Sequence, residues 1–266
     1  MSIAPTPAPT PAASRVAARV AAQRRRVLWA LSFLPALAAA GLSQGAGSVL
    51  AASLNGSGRA ATETRTPGEF QAVSTRGSID LVVRQGPAIQ VQVQADDNLL
   101  PHLETVVEDG ALIVRWQRGH SIRTRSPVRV EVVMPRLTAL GSAGSGDLRL
   151  EAFKTPSLKI ALSGSGDAHL ASLTTDELRV SISGSSDVTG AGQAGRADIS
   201  VSGSGNVRLL DLAAEDVSVR IAGSGDVAVH AQKKLTISIA GSGDVSYKGE
   251  PALTSTVAGS GSVRKR

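Results

Sequence analysis

The sequence predicts an all-β protein whose fold is a parallel β-helix, a solenoid with coils of about 18–20 residues. Three observations predict it: a glycine-rich motif that recurs at nearly constant spacing, apolar side chains at alternate positions before each copy, and only 2% aromatic residues among the 266 of the chain. Alternation with a period of two is typical of a strand with one buried face. A narrow solenoid interior accommodates stacked Val, Ile and Leu better than rings, so the low aromatic content agrees with the repeat.

Residues 1–51 are predicted to be a disordered n-region followed by a signal segment for export. The run Arg24-Arg25-Arg26 precedes an apolar stretch at 27–40, which is the layout of a secretory signal. The adjacent arginines also resemble the twin-arginine signal, so the export route stays open. We expect cleavage near Gly41 or Ala52 and an extracytoplasmic location, in the periplasm or on the cell surface. The alternative is an uncleaved segment that anchors the chain in a membrane.

The next two segments lack the motif. Residues 52–67 are predicted to be a linker, because they are rich in Gly, Ser and Thr. Residues 68–140 contain alternating strands, such as 89–93 and 128–132, and one helical turn is expected within 97–104. We interpret 68–140 as irregular N-terminal β coils of the same solenoid, since terminal repeats are often atypical. A separate small β domain is the alternative.

The regular solenoid is predicted over residues 141–266. The motif Gly-Ser-Gly-Asp or a near copy occurs seven times, and successive first glycines follow each other after about 18 to 20 residues. Alternating apolar residues precede each copy and a second short strand follows it, so the motif forms a corner between two strands. The charges of Arg264-Lys265-Arg266 are expected to discourage edge-to-edge pairing at the last strand. The predicted structural turn ladder comprises Gly144, Asp147, Gly164, Asp167, Gly184, Asp187, Gly203, Asn206, Gly223, Asp226, Gly241, Asp244 and Gly259.

One bacterial family shows the same order of segments. The strands at 79–83, 91–96 and 130–135, followed by repeated Ser-Gly-Ser-Gly-Asp, resemble the family of putative auto-transporter adhesins with a head GIN domain over about residues 69–263. The resemblance implies an extracytoplasmic β-helical domain and no enzyme mechanism. The chain differs from lipidated members of that family because it contains no cysteine.

The ladder aspartates are predicted to be structural. Each is expected to accept a backbone N–H within its own turn, while the glycines supply positive φ. Stacked carboxylates also suit calcium, and pairs of them suit sugar hydrolysis, so both remain alternatives. The histidines, His102, His120, His169 and His230, have no spacing typical of a metal site or a catalytic triad. We therefore expect no catalytic residues, no bound metal and no cofactor.

The charge distribution indicates which classes of partner to expect. Five of the 28 basic residues and none of the 22 acidic ones lie in residues 1–51, so the remainder is almost neutral. Without a basic surface or interleaved aromatic residues, we expect no nucleic-acid binding. The sequence predicts an exported, non-enzymatic cell-envelope module for binding or adhesion, whose partner is an unidentified protein or glycan. The alternatives are a structural or periplasmic signalling partner and, third, a polysaccharide-acting enzyme on a β-helix.

Overall fold

The computed structural model describes residues 52–266, which belong to one compact unit built almost entirely from strands. The predicted export segment, residues 1–51, lies outside the described residues. No helix within 52–266 is long and apolar enough to cross a membrane. A 3-10 turn at Leu100–His102 lies in the segment where one helical turn is expected. The N-terminal strands are β1 (Ala52–Asn55), β2 (Ala60–Arg65), β3 (Ala72–Arg76), β4 (Asp80–Gln85), β5 (Gln90–Asp96), β6 (Leu103–Glu108), β7 (Ala111–Trp116), β8 (His120–Arg123) and β9 (Arg129–Met134). The regular part contains β10 (Ala139–Gly144), β11 (Leu148–Gly164), β12 (Ala168–Gly184), β13 (Val188–Gly203), β14 (Val207–Gly223), β15 (Val227–Gly241), β16 (Val245–Lys248), β17 (Ala252–Gly259) and β18 (Val263–Lys265).

Strands β10 to β15 stack in sequence order, each parallel to the next. β16 and β17 both pair with β15, and β18 pairs with β16. The first glycine of each motif is the register partner of the first glycine in the next coil, from Gly144 to Gly259. The predicted parallel β-solenoid is therefore confirmed.

Each regular coil has three sides. In β11, buried and solvent-facing residues alternate, but two successive positions are not buried at 151–152 and again at 156–157. Because successive side chains of a strand point to opposite faces, each interruption marks a bend. The sequence predicts two strands per coil, and the structure shows a short side at 148–150, a second at 153–155 and a long side at 158–163.

Variation in coil length falls at the bends. The register of β12 against β13 shifts between Leu170 and Leu173, and that of β14 against β15 shifts between Leu209 and Ala213. The long sides pair without a shift throughout. A one-residue slip there would turn a whole set of aliphatic side chains out of the core, so the long side keeps its register while the corners absorb insertions.

The interior is filled by aliphatic columns. Ile160 is 0% exposed, and Val180, Ile199, Val219 and Ile237 follow it coil by coil with at most 2% exposure. Stacking of this kind buries each side chain against its copies above and below, and each fully buried Val, Ile or Leu contributes about 1.5–3 kcal/mol. The repeat thus has a continuous core that a single coil could not form.

The N-terminal coils do not stack in sequence order. β3 lies between β10 and β7, parallel to both, and β4 lies between β11 and β9. The chain therefore forms first the coil that lies next to the regular repeats, with β3 and β4. It then forms the coil beyond it, with β7 and β9, and returns to the regular repeats at β10. Antiparallel strands complete this end: β5 pairs with β9, β2 with β5, and β6 with β7. The interpretation of 68–140 as irregular coils describes β3, β4, β7 and β9, but the sequence did not predict this crossover, in which the coils stack out of sequence order.

The predicted linker at 52–67 is wrong in detail, because this segment contains β1 and β2. β1 pairs with β8, and β2 pairs with β5. Asp96, which is 0% exposed, fixes the segment: its carboxylate accepts hydrogen bonds from Gly58 N at 2.8 Å, Arg125 N at 2.8 Å, Ser126 Oγ at 2.8 Å and Ser126 N at 3.3 Å. Burial raises the pKa of Asp96, but these hydrogen bonds outweigh it, so the pKa lies below its usual value.

Candidate functional site

Backbone hydrogen bonds connect the corners of successive coils. In one corner, Ser165 N donates to Gly144 O at 2.9 Å, and Leu148 N donates to Asp167 O at 2.7 Å. The same pair of contacts recurs along the regular coils. Between these two contacts, the N–H of the motif aspartate needs another acceptor, because the regular strand ladder is interrupted at the corner.

The aspartate of the preceding coil supplies that acceptor. Asp147 Oδ1 accepts Asp167 N at 3.0 Å, and Asp167 Oδ1 accepts Asp187 N at 2.9 Å. Asn206 continues the column, since its Oδ1 accepts Asp226 N at 3.0 Å. The complete column of side chains, one per coil, is Asp80, Asp147, Asp167, Asp187, Asn206, Asp226, Asp244 and Ser262.

This geometry corrects the predicted turn chemistry. The sequence predicts a hydrogen bond within each turn, whereas the structure has bonds between coils, across 18 to 20 residues. Side chains that lie one strand spacing apart can reach the next corner directly, because parallel strands are about 4.8 Å apart. The ladder aspartates therefore join coils to each other.

Asp80 is a ladder member that sequence reasoning missed. Its Oδ1 accepts Asp147 N at 3.1 Å, although 67 residues separate them. The signal was present in Gly77-Ser78-Ile79-Asp80, which is a motif copy with Ile in place of the second glycine. The distance along the chain concealed it, because neighbouring members of the regular ladder are separated by only 18 to 20 residues.

The first glycine of the motif has a strict steric role. The seven first glycines have φ values from 126° to 146°, a region that L side chains rarely adopt. A Cβ on Gly164 would also lie 2.1 Å from Gly144 O. The second glycine is less strict in sequence, since Ser186 occupies its position in one coil.

A groove runs beside the aspartate column, with a cavity volume of about 330 Å³. The acidic side of its lining includes Asp147 and Asp167, and basic groups come from Arg129, Arg149 and Arg208. Strand β9 and the short sides of β11 to β14 bring these groups together, because outward positions of stacked strands form columns. The groove therefore combines a repeated column of carboxylates with guanidinium groups that do not repeat, since the register column of Arg149 continues with His169, Thr189 and then Arg208.

Some of these charges are paired. Arg208 Nη1 lies 3.1 Å from Asp187 Oδ2, and Arg149 Nε lies 2.8 Å from Glu151 Oε1. Within residues 52–266, Asp147, Asp167 and Arg129 form no salt bridge. Asp147 and Asp167 each use Oδ1 in the ladder, so one oxygen of each carboxylate is available to accept hydrogen bonds from a ligand.

The four histidines lie in different parts of the described chain. His169 lines the groove, and its Nδ1 lies 2.9 Å from Thr189 Oγ1. His102 and His120 come together at the N-terminal end, with ring centroids 5.1 Å apart, a proximity that their sequence spacing did not indicate. His230 lies in β15, remote from both in sequence. Among the described residues, no group of three or more His, Asp or Glu side chains could hold a metal ion.

The outer surface of the long side carries many small residues. One column consists of Gly141, Ala161, Ser181, Ser200 and then Arg220, aligned by the strand register. Charged residues also lie on this face, among them Lys159, Arg179 and Arg220, which are exposed. The groove differs from it because it combines a column of carboxylates with nearby guanidinium groups.

Comparisons with known proteins agree with this architecture. Residues 69–251 match the family model described as "Putative auto-transporter adhesin, head GIN domain". The resemblance inferred from the sequence is thereby confirmed. None of the curated proteins matches the chain.

Several solved structures are similar to this chain. A putative adhesin from Bacteroides fragilis shares 24% identity with a TM-score of 0.77, over 80% of this chain and 100% of that chain. A putative lipid binding protein from Parabacteroides distasonis shares 26% identity with a TM-score of 0.68, over 80% and 99%. A putative adhesin from Parabacteroides merdae shares 25% identity with a TM-score of 0.64, over 81% and 100%.

Proposed function

Since the chain belongs to the family described as putative auto-transporter adhesin, head GIN domain, we propose that it is an exported, non-enzymatic binding module of the cell envelope. The groove beside the aspartate column is its binding surface. The observation that carries the proposal is the column of carboxylates along this groove together with the guanidinium groups beside it, held on stacked strands. The partner is a polyhydroxylated glycan or a polar protein segment, lying along the solenoid axis.

The charges of the groove favour a polar ligand. Free carboxylate oxygens accept hydrogen bonds from hydroxyl or amide groups, and Arg129 donates several in a fixed fork. Because the carboxylates recur from coil to coil, a ligand with a repeating structure could make equivalent contacts to them along the groove. The similar protein from Parabacteroides distasonis has a name that indicates lipid binding, but charged lining groups disfavour an apolar chain here.

The structural hydrogen bonds of the aspartates support a binding role over catalysis. A catalytic carboxylate pair needs two oxygens directed at one substrate bond, with pKa values that differ. Here each ladder aspartate from Asp147 to Asp244 has its Oδ1 hydrogen-bonded to the next coil, as a repeating structural contact. We therefore propose no enzymatic step.

Export is supported by the arginine run at 24–26 and the apolar stretch that follows. N-terminal sequencing of the protein isolated from cells tests it. We expect a mature chain that begins near Gly41 or Ala52, and a chain found in the cytoplasm with Met1 or Ser2 at its start would contradict export.

Binding is tested by sedimentation of the purified protein with isolated cell envelopes. Arg129→Glu reverses a charge in the groove, and Lys159→Glu makes the same charge change at an exposed position of the long side. We expect Arg129→Glu to reduce the bound fraction at least several-fold and Lys159→Glu to leave it unchanged. Equal binding by the two variants, or no binding by the unsubstituted protein, would contradict the proposed surface.

A further inference from the structure

The outer edge of β17 is unpaired within residues 52–266. β17 pairs with β15 on one side, and no other described strand pairs with it. All eight of its residues are exposed, including Leu253 at 42% and Val257 at 40%. These two are the register partners of Leu235 and Ile239, which are buried. Side chains of the interior columns therefore reach the surface here.

The backbone groups of β17 alternate between its two edges. Ser260 N donates to Gly241 O, toward the preceding coil, and Lys159 N, at the register position equivalent to Thr254, donates to Thr138 O. In a parallel strand, the N–H and C=O of one residue point to the same edge and those of the next residue point to the other. The N–H and C=O groups of Leu253, Ser255 and Val257 therefore point to the open edge.

The sequence of this edge is symmetric about Ser255. It reads Leu253-Thr254-Ser255-Thr256-Val257, with apolar, Thr, Ser, Thr and apolar residues in turn. We propose that a second copy of this chain pairs with β17 in antiparallel orientation, about a two-fold axis at Ser255. Leu253 then lies opposite Val257 of the second copy, and Ser255 lies opposite its own counterpart.

This register satisfies the backbone and the side chains together. The residues that oppose each other are those whose N–H and C=O groups are free, so three residues of each copy form six hydrogen bonds. Leu253 and Val257 cover each other, and Thr254 faces Thr256 of the second copy, which is a favourable cross-strand pair. A shift of two residues would place Leu253 opposite Ser255 and lose both apolar contacts, so the pattern selects one register.

Charge distribution favours β17 over the neighbouring edge. β17 contains no charged residue, whereas β18 carries Arg264 and Lys265. Charges on an edge strand oppose pairing. Arg264 lies 3.6 Å from Asp244, and Lys265 contacts Glu250, so both side chains have partners close to β18. The expected protection by the basic residues thus applies to β18 and leaves β17 available.

The first test is sedimentation velocity of the protein between about 1 µM and about 500 µM, because an edge contact alone gives weak, concentration-dependent association. We expect the mass to rise from monomer toward dimer. Ser255→Lys places two like charges on the two-fold axis and should abolish the rise. Ser238→Lys, at an exposed outward position of β15, should leave it unchanged. A monomer at every concentration would overturn the proposal, as would equal dimerisation of Ser255→Lys.

The second test determines the register and remains decisive if Ser255→Lys does not fold. The chain has no cysteine, so single cysteines can be introduced. Opposed residues of a hydrogen-bonded antiparallel pair have Cα atoms about 5.5 Å apart, which a disulfide can span. Leu253 lies four positions from its own counterpart, about 13 Å. Oxidation should therefore cross-link Ser255→Cys and not Leu253→Cys. Equal cross-linking of both, or of neither, would contradict this pairing.

Discussion

Asp167, in the middle of the ladder, offers a direct measure of what the inter-coil bond contributes. Its Oδ1 accepts Asp187 N at 2.9 Å. Asp167→Ala removes this acceptor and leaves the N–H without its partner. Asp167→Asn keeps an oxygen at the same place, as Asn206 does in its own coil, where Oδ1 accepts Asp226 N at 3.0 Å. The two variants therefore differ in the hydrogen bond and share the loss of charge.

The expected magnitude follows from these contacts. The hydrogen bond that distinguishes the two variants has a neutral amide oxygen as its acceptor, and such a bond contributes about 0.5–1.5 kcal/mol. Removal of the carboxylate also relieves repulsion from the neighbouring aspartates, by about 1 kcal/mol or less in water. Both variants gain that relief, so the alanine variant should be the less stable by about 0.5–1.5 kcal/mol, a difference in Tm of about 1–6 °C.

Thermal unfolding followed by circular dichroism gives the difference in Tm, and amide hydrogen exchange localises it. The N–H of Asp187 should exchange faster in Asp167→Ala than in Asp167→Asn, while amides on the long side of β12 should be unchanged. Equal Tm values for the two variants would refute the reasoning. So would equal exchange at Asp187, because the bond would then contribute nothing at that corner.

Three further predictions concern the buried carboxylate, the corner glycine and the alternative of a bound cation. Asp96→Ala should lower the free energy of unfolding by about 2–4 kcal/mol in urea titrations, because it leaves the N–H groups of Gly58 and Arg125 without an acceptor. Because the pKa of Asp96 is lowered in the folded protein, its contribution to stability is fully present above the unfolded pKa of about 3.9 and is lost as pH falls through the folded pKa. A free energy of unfolding that does not fall between pH 5 and pH 2 would contradict this. Gly164→Ala should cost at least about 2 kcal/mol because of its φ of 134° and the close Gly144 O, whereas Gly141→Ala, aligned with Ala161, should cost much less; similar Tm values would be inconsistent with the corner geometry. A chelator should change the Tm by less than about 5 °C, and a larger fall would indicate that a cation stabilises the aspartate column.

The regular coils could be predicted from the sequence because their constraints repeat. Alternation at residues such as Leu158, Ile160 and Leu162 fixes which side chains are buried, and the spacing of the glycine motif fixes the register between coils. Both signals are local in each copy and are repeated seven times. The third side of the coil was missed, since only a short run, as at 153–155, separates its two bends.

The N-terminal coils and the first strands depend on contacts that no local pattern records. β3 stacks on β10, where Thr75 lies beside Ser142 from a distant part of the chain, so its place in the solenoid cannot be obtained from the period of the motif. The segment 52–67 has the composition of a linker, yet Asp96 holds it through Gly58. The groove likewise combines Arg129 from β9 with basic groups from the regular coils. Its residues become neighbours only after the crossover is known.

The most direct test of the proposed binding surface is site-specific photo-cross-linking in cells that express the protein. A photoreactive amino acid at Thr189 lies in the groove, and one at Ser181 lies on the outer surface of the long side. The account predicts a discrete adduct from Thr189, with an envelope glycan or protein, and none from Ser181. An adduct formed only from Ser181, or equally from both positions, would contradict the groove as the binding surface.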